Sequence, residues 1–412
     1  MKGKFANFIA FDIGSSKIAA AASHISRQGD IKIVTQALHY SQGFKSGIIT
    51  DMTAAENSII SAIYALEKEC EKSIKEVTLS LSGAGTKSYY ITHSIKLGNQ
   101  PVSKSDIKKL TQKALADFRV KDQDIIHYFP IEFTLDEENV VDNPLGLYGR
   151  QLSCQLHIIA ANSLMLLNLT NCFSRCQVEV TDVMLAIYAS GLSCLTKEEQ
   201  DLGALIIDMG SKTTSFAIFL DSKLVYTSSI PIGSSHITSD IAKAFSISLI
   251  AAEKIKIIYG NAMPSLVNKI DIIRTDEFQE DNNYGADLSI TSSQLNEIIH
   301  LRMKEIFDQI QKQYTQVSMD HLLARRLVIT GGAASTAGVK NLAASVFGKQ
   351  VRVAKPETIP GYIENYNPYI YSTVVGMLKS KISKHKNNSL GIAQENDSNW
   401  LKKTFIWIKE NI

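Results

Sequence analysis

Two aspartates, Asp12 and Asp208, each close an apolar run and stand two residues before a glycine. The first lies in FIAFDIGSSKIAAAAS, residues 8–23, and the second in ALIIDMGSKTTSFAIF, residues 204–219. Each stretch reads as a strand, an acidic turn and a returning strand, a hairpin built to approach something anionic. Facing each other across a cleft, such carboxylates suit the water shell of a Mg²⁺ carried by nucleotide phosphates, because Mg²⁺ keeps several of its waters. Lys17 and the hydroxyls of Ser15, Ser16, Thr213 and Thr214 supply matching phosphate contacts. Either aspartate alone would read as a turn cap. The repetition favours the metal.

A third signal lies in RRLVITGGAASTAGVK, residues 325–340, where a buried strand enters Gly331-Gly332 and then a helix of small residues. Glycine permits a close backbone approach, and the N–H groups of such a turn suit a nucleotide. An isolated Gly-Gly pair is a plain tight turn; the order hairpin, hairpin, Gly-Gly turn gives it meaning. Together the three imply a duplicated α/β unit with a cleft between the copies.

The elements that must position these residues fit a chain of 412 residues, enough for two or three domains. Its 45% apolar content provides for a sizeable core, and 43 basic residues against 41 acidic ones leave no basic excess for nucleic acid. Of the five cysteines only Cys172 and Cys176 are close, with no CxxC and no second pair for zinc, so reduced thiols are expected. The N-terminus reads as a strand rather than a signal peptide, and no apolar run reaches the ~18 residues of a spanning helix. The expectation is a cytosolic protein whose membrane contact is peripheral.

Residues 383–399 are polar and read as a flexible linker. Residues 400–412, WLKKTFIWIKENI, hold both tryptophans. At helical spacing Leu401, Phe405, Ile408 and Ile412 share a face, with Trp400 and Trp407 along one side. Lys402 and Lys409 flank it, Lys403 points away with Glu410, and Ile406 breaks the stripe. This is the composition of a helix lying in a bilayer surface; docking back onto the body is the alternative, against which the linker argues. Residues 294–314 form an amphipathic helix with Leu295, Ile298, Ile299, Met303, Ile306 and Ile310 inward and Arg302 and Glu305 on the polar side.

The hairpin–hairpin–glycine order resembles the actin, Hsp70 and sugar-kinase superfamily, and further stretches resemble the bacterial division protein family FtsA. These are GFKSGIITDM (43–52), VTLSLSGAGTKS (77–88), PIGSSHITSDIAKAF (231–245) and AAEKIKIIYG (251–260). Most specific are residues 120–161, with HYFPIEFTLD and the NPLGLYG turn. The resemblance implies an actin-like two-lobed α/β fold with an FtsA-type inserted subdomain and a C-terminal amphipathic helix. First-lobe segments would span 1–83 and 162–196 around an insertion at 84–161. Second-lobe segments would span 197–240 and 326–382 around a helical subdomain at 241–325, followed by the linker and the helix.

It also implies ATP and Mg²⁺ as ligands. Asp12, Gly14, Ser15, Ser16 and Lys17 match the first phosphate hairpin, and Asp208, Gly210 and Thr213 the second. Glu253 and Lys256 match the helix flanking the adenosine, though alone they would read as a solvated pair. Gly331, Gly332 and Ala333 match the adenosine turn; Ser211, Lys212 and Gly233 complete the set. Arg302 and Glu305 match the region that binds the C-terminal peptide of the tubulin-like FtsZ; an ordinary solvated face is the alternative. The implied setting is the cytoplasmic face of the inner membrane at the septum, with actin-like protofilaments, an anionic lipid surface and later division proteins as partners. Where relatives read DxGGGTTD this chain reads DMGSKTTS, and Ser234 stands where a glycine often follows Gly233. A Cβ costs ~1–2 kcal/mol where φ must be positive, so Ser211 and Lys212 in place of glycines, with Ser215 in place of the final acid, put hydrolysis in question. Lys212 would either touch phosphate or fill part of the pocket. A nucleotide-gated switch with at most weak ATPase activity is the expected behaviour, with no dedicated catalytic base. The rivals are a type IV pilus-type actin-like adaptor, which lacks such a tail, and a sugar or acetate kinase, which needs a base.

Overall fold

The computed structural model describes residues 6–264 except 27, 99 and 138, then 271–275, 278, 289–316, 326–364 and 367–389. The expected membrane-binding residues Trp400, Leu401, Lys402, Lys403, Phe405, Trp407, Ile408, Lys409 and Ile412 lie outside the described residues.

The chain opens with β1 (Phe8–Ile13), β2 (Lys17–Ile25) and β3 (Ile31–Tyr40), then the two-residue strands β4 (Phe44–Lys45) and β5 (Ile48–Ile49), α1 (Met52–Cys70) and β6 (Glu76–Leu81). An inserted unit follows: β7 (Thr86–Lys96), α2 (Lys104–Asp117), β8 (Gln123–Leu135), β9 (Asn139–Val141) and β10 (Gln151–Asn162). The chain returns through α3 (Ser163–Arg175), β11 (Glu179–Leu185), α4 (Ala186–Cys194) and α5 (Lys197–Leu202). The second half begins with β12 (Ala204–Met209), β13 (Thr214–Leu220), β14 (Lys223–Ile230), α6 (Ser234–Phe245) and α7 (Leu249–Tyr259). It continues with β15 (Ile272–Arg274), β16 (Ser289–Thr291), α8 (Ser292–Thr315), β17 (Arg326–Thr330), α9 (Val339–Phe347), β18 (Gln350–Val353) and α10 (Ser372–Ser389).

The two five-stranded sheets have one topology. In the first lobe the order is β11-β6-β1-β2-β3, and in the second it is β18-β17-β12-β13-β14. In both, two antiparallel pairs follow the acid-bearing strand on one side and two parallel strands flank it on the other. The repeat read from two hairpins therefore covers all five strands of each lobe.

Strand β2 shows how the sequence serves this packing. Alanine is a poor strand former, yet residues 19–22 are four alanines, each at most 2% exposed. Ala20 and Ala22 join the core under α1, while Ala19 and Ala21 join the one under α10. Small side chains on both faces let helices approach the sheet closely from either side. The inserted unit forms its own sheet, β7-β10-β8-β9, around Leu110, Leu152 and Leu156. It docks on the edge strand β14, where the hydroxyls of Ser88 and Tyr90 donate to the carbonyls of Thr227 (3.0 Å) and Val225 (2.8 Å).

Two features depart from the sequence division. Residues 326–382 were assigned to the second lobe, and β17, α9 and β18 do lie there, but α10 turns back to pack on β1, β2 and β6. Its apolar residues Val374, Val375, Met377 and Leu378 have their partners on the first sheet, Phe8 and Ala10 among them. The same helix runs to Ser389, seven residues into the segment whose polarity suggested a linker. A polar run does not stop a helix already anchored by its apolar half.

Candidate functional site

Both hairpin turns bring an acid to the carboxyl end of a central strand, where open α/β sheets place their ligands. Their geometries coincide. Gly14 N–H donates to Lys17 O at 3.0 Å and Gly210 N–H to Thr213 O at 3.0 Å. A Cβ on Gly14 or on Gly210 would fall 2.8 Å from the same acceptor carbonyl. The glycines are required by this close return, not by an unusual φ.

Asp12 accepts a hydrogen bond from Ser80 Oγ (2.5 Å), a residue on the neighbouring parallel strand, and another from Thr373 on α10. Asp208 accepts from Ser190 Oγ on α4 (2.6 Å). Burial pushes the Asp12 carboxyl up to about 7; the Ser80 and Thr373 bonds oppose the rise and the charge of Asp208 adds to it. Burial also raises Asp208, with Ser190 opposing. Two buried carboxyl groups, one of them raised further by the charge of the other, favour a cation between them. A hydrated Mg²⁺ fits this pair: the donors are oxygen only, and Mg²⁺ asks for one or two carboxylates while keeping waters. Among the described residues no group of three or more His, Cys, Asp or Glu gathers as a fuller metal cage would need.

Positive charge meets across the cleft. Lys256 is buried, and its Nζ donates to Glu253 Oε2 (2.6 Å), Thr238 Oγ1 (2.8 Å) and Ser234 O (3.3 Å). Thr238 also donates to Glu253, so α6 and α7 are pinned together. Burial lowers the Lys256 pKa, Glu253 opposes, and the charge of Lys17 lowers it further. A lysine from each lobe thus bears on one space, as an anion between them requires. The solvated-pair alternative for Glu253 and Lys256 does not hold for Lys256.

The glycine turn closes the other side. Gly331 has φ 89°, and a Cβ there would fall 2.3 Å from Asp208 Oδ1 and 2.6 Å from Met209 N. A Cβ on Gly332 would meet nothing within 4 Å, while Ala333 is buried beneath the turn. Asn367 Nδ2 donates to Gly332 O (2.9 Å) and ties the turn to the strap before α10. Gly233 serves a steric role: a Cβ would fall 2.5 Å from Gly210 O. That closeness lets α6 begin against the second turn, with Ser234 N and Ser235 N donating to Gly210 O (3.0 Å) and Ser211 O (2.8 Å). Ser211 and Lys212 are not among the residues of positive φ, so their Cβ atoms carry no backbone strain.

Some hydroxyls are engaged elsewhere. Thr214 was expected to touch phosphate; it is fully buried and donates to Ile232 O (2.8 Å), because it follows the turn into the core face of β13. Ser15 Oγ accepts from Ser46 N (2.8 Å), holding the 41–51 loop while keeping its own proton to donate. Ser16, Lys17, Ser211, Lys212 and Thr213 remain at least partly exposed on the two turns.

Arg302 is not a free surface charge. Its Nε and Nη2 clasp Asp240 of α6 (2.6 and 3.2 Å) and its Nη1 bonds Glu305, which holds the guanidinium above its ordinary pKa. Glu305 in turn lines a shallow groove along α8 with Leu301, Lys304, Asp308, Gln309 and Lys312.

Sequence reasoning missed Ser80, Ser190 and Thr373 at the acids, Thr238 at Lys256 and Asp240 at Arg302. Only Ser80 left a signal: it occupies in VTLSLS the place that Thr330 occupies in LVIT, beside the acid in the parallel register.

Comparison with known proteins matches residues 205–376 to the family described as Cell division protein FtsA and residues 83–160 to the SHS2 domain inserted in FtsA. The Cell division protein FtsA of Buchnera aphidicola subsp. Schizaphis graminum is 30% identical over 414 residues, covering 96% of this chain and 98% of the relative. That of Escherichia coli is 28% identical over 415 residues, covering 98% and 97%. Among solved structures, a PilM-PilN type IV pilus biogenesis complex has TM-score 0.64 at 14% identity, covering 91% of this chain and 98% of that one. MreB5 of Spiroplasma citri bound to ADP has TM-score 0.55 at 14% identity, covering 94% and 99%. At such identities the likeness is one of fold, and that fold is actin-like.

Proposed function

The chain belongs to the FtsA family of cell-division proteins, and on that premise we propose that it binds ATP with Mg²⁺ between its lobes and tethers FtsZ filaments to the membrane. The observation that carries the nucleotide half is the pair of turns with matching closing hydrogen bonds, each of which brings a buried carboxyl group into the cleft. Asp12 and Asp208 hold the waters of the cation, which supplies the positive charge that both carboxyls lack. Lys17, Ser15, Ser16 and Thr213 contact the phosphates, with Ser211 and Lys212 beside them. Glu253, Lys256, Gly331, Gly332 and Ala333 bound the adenosine, and Gly233 sets the second turn against α6.

The tether half rests on family membership and on the composition of residues 400–412, with Leu401, Phe405, Trp407 and Ile408 entering the lipid and Lys402, Lys403 and Lys409 meeting anionic headgroups. No described helix is long and apolar enough to cross a membrane. One such helix binds weakly; protofilaments carrying many bind tightly through effective concentration. The protein then acts at the cytoplasmic face of the inner membrane, at the septum, where it recruits later division proteins. The FtsZ C-terminal peptide docks beside α8. Because Arg302 is clasped by Asp240, Glu305 and its neighbours in the groove contact the peptide while Arg302 fixes the α6–α8 angle.

Co-sedimentation of FtsZ with anionic vesicles, with this protein and ATP, tests the proposal. FtsZ should pellet only with the intact chain and stay in solution when residues 400–412 are removed. Pelleting of this protein alone, with FtsZ left behind, would sink the tether.

A further inference from the structure

Two helices cross where the lobes meet. α4 packs on β12, β13 and β17 of the second sheet and reaches β6 and β11 of the first, and α10 packs on β1, β2 and β6 of the first. The crossing is tight: a Cβ on Gly376 would fall 1.7 Å from Ala189 O. Beside that contact each helix presents one hydroxyl to one of the two acids. Ser190 on α4 donates to Asp208, and Thr373 on α10 donates to Asp12. The two hydroxyl oxygens also lie 3.1 Å from each other. A continuous chain therefore runs from Ser80 through Asp12, Thr373 and Ser190 to Asp208, although Asp12 and Asp208 belong to different sheets.

We propose that Ser190 and Thr373 are positioning residues that couple the spacing of Asp12 and Asp208, and with it divalent-cation binding, to the angle at which the lobes meet. The proposal rests on the nucleotide reading above and adds the device that transmits it. Ser190 and Thr373 are 0% and 5% exposed, so water does not replace a lost hydroxyl readily. A second layer leaves the pair little play: Ser193 Oγ donates to Ser372 O (2.6 Å), and the hydroxyls of Thr330 and Ser372 are 2.7 Å apart. A turn of α10 against α4 about the Gly376–Ala189 contact moves Thr373 relative to Ser190, and each carries its acid with it. A cation held between the acids resists that motion, which is how metal-bound nucleotide in the cleft would set the lobe angle. Simple packing would also bury these hydroxyls, but it predicts no special link to the metal.

The experiment uses the full chain with S190A, T373V and the double variant, alongside T373S, which keeps the hydroxyl. ATP affinity is measured with Mg²⁺ and again with EDTA, and unfolding without nucleotide checks that each variant is folded. Each single variant should weaken ATP binding about tenfold with Mg²⁺ and less than about twofold in EDTA. The double variant should lose scarcely more than either single one, because the residues act through one chain. T373S should restore the parent value. Equal losses with and without Mg²⁺, full additivity, or no loss at all would overturn the proposal. If the parent itself binds ATP no better with Mg²⁺ than with EDTA, the cation reading fails first and this proposal falls with it; a Mg²⁺-dependent parent with silent variants sinks only the proposal.

Discussion

In the first lobe the cleft acid is held by the adjacent parallel strand, through Ser80; in the second, the corresponding strand residue, Thr330, turns instead to Ser372 and leaves Asp208 to Ser190 on a helix. The two turns are otherwise alike down to their closing hydrogen bonds. What differs is the segment after the parallel strand. After β6 the chain runs through Gly83–Gly85 into the inserted sheet, while after β17 it folds over Asp208 at Gly331. The shared topology thus places two acids alike, and the later segments give one copy a subdomain to carry and fold the other over its acid.

Substitution of the glycines breaks this comparison most sharply. Gly331→Ala adds a Cβ at φ 89° against Asp208 Oδ1 and the Met209 backbone, and should cost at least ~2 kcal/mol in urea unfolding. Gly332→Ala, with open space around it, should cost under ~1 kcal/mol and act on nucleotide affinity instead. Gly14→Ala and Gly210→Ala meet equivalent carbonyls and should lose stability about equally; a wide gap between them would break the structural equivalence.

The acids sharpen it next. Asp12 is raised from 3.8 to about 7, so between those values the folded chain holds a proton that the unfolded chain has lost. Folding stability without nucleotide should therefore fall as pH rises through that window, by at most ~1.4 kcal/mol per unit. The difference in unfolding free energy between the parent and Asp12→Asn isolates this slope, since other carboxylates titrate in both. Mg²⁺ with ATP should flatten it. A difference that does not vary with pH would show that the carboxyl is ordinary.

The smallest effect concerns α8. Arg302→Glu sets three acids together in place of the Asp240 clasp and should cost ~1–2 kcal/mol in stability, because Arg302 is partly exposed. Glu305→Lys should leave stability within ~1 kcal/mol yet weaken FtsZ-peptide binding in a titration. Unchanged affinity in the Glu305 variant would remove that residue from the interface.

Much of the site was readable before the fold, and the reason is locality. Asp12 with Gly14 and Asp208 with Gly210 sit within single hairpins, so residue type and spacing suffice to place them. Lys256 was harder, because its i,i+3 spacing to Glu253 describes a solvated pair as well as a buried one; Thr238 on another helix decides between them. Thr214 misled because a hydroxyl one residue past the turn points to the opposite face of its strand.

By itself the sequence determined two acid-bearing hairpins, a glycine turn and the amphipathic pattern of the last thirteen residues, all set by short-range periodicity and turn chemistry, while the inserted unit was implied by a family resemblance. The tertiary structure alone decided which hydroxyls meet those acids. Ser80 lies 68 residues from Asp12, and Ser190 lies 183 residues from Thr373. It also decided that α10 returns to the first sheet, where Ala19 and Ala21 leave room for it. Contacts over such separations follow from how faces pack and from which side chains are small enough to allow a close crossing, and no local pattern in the chain records them.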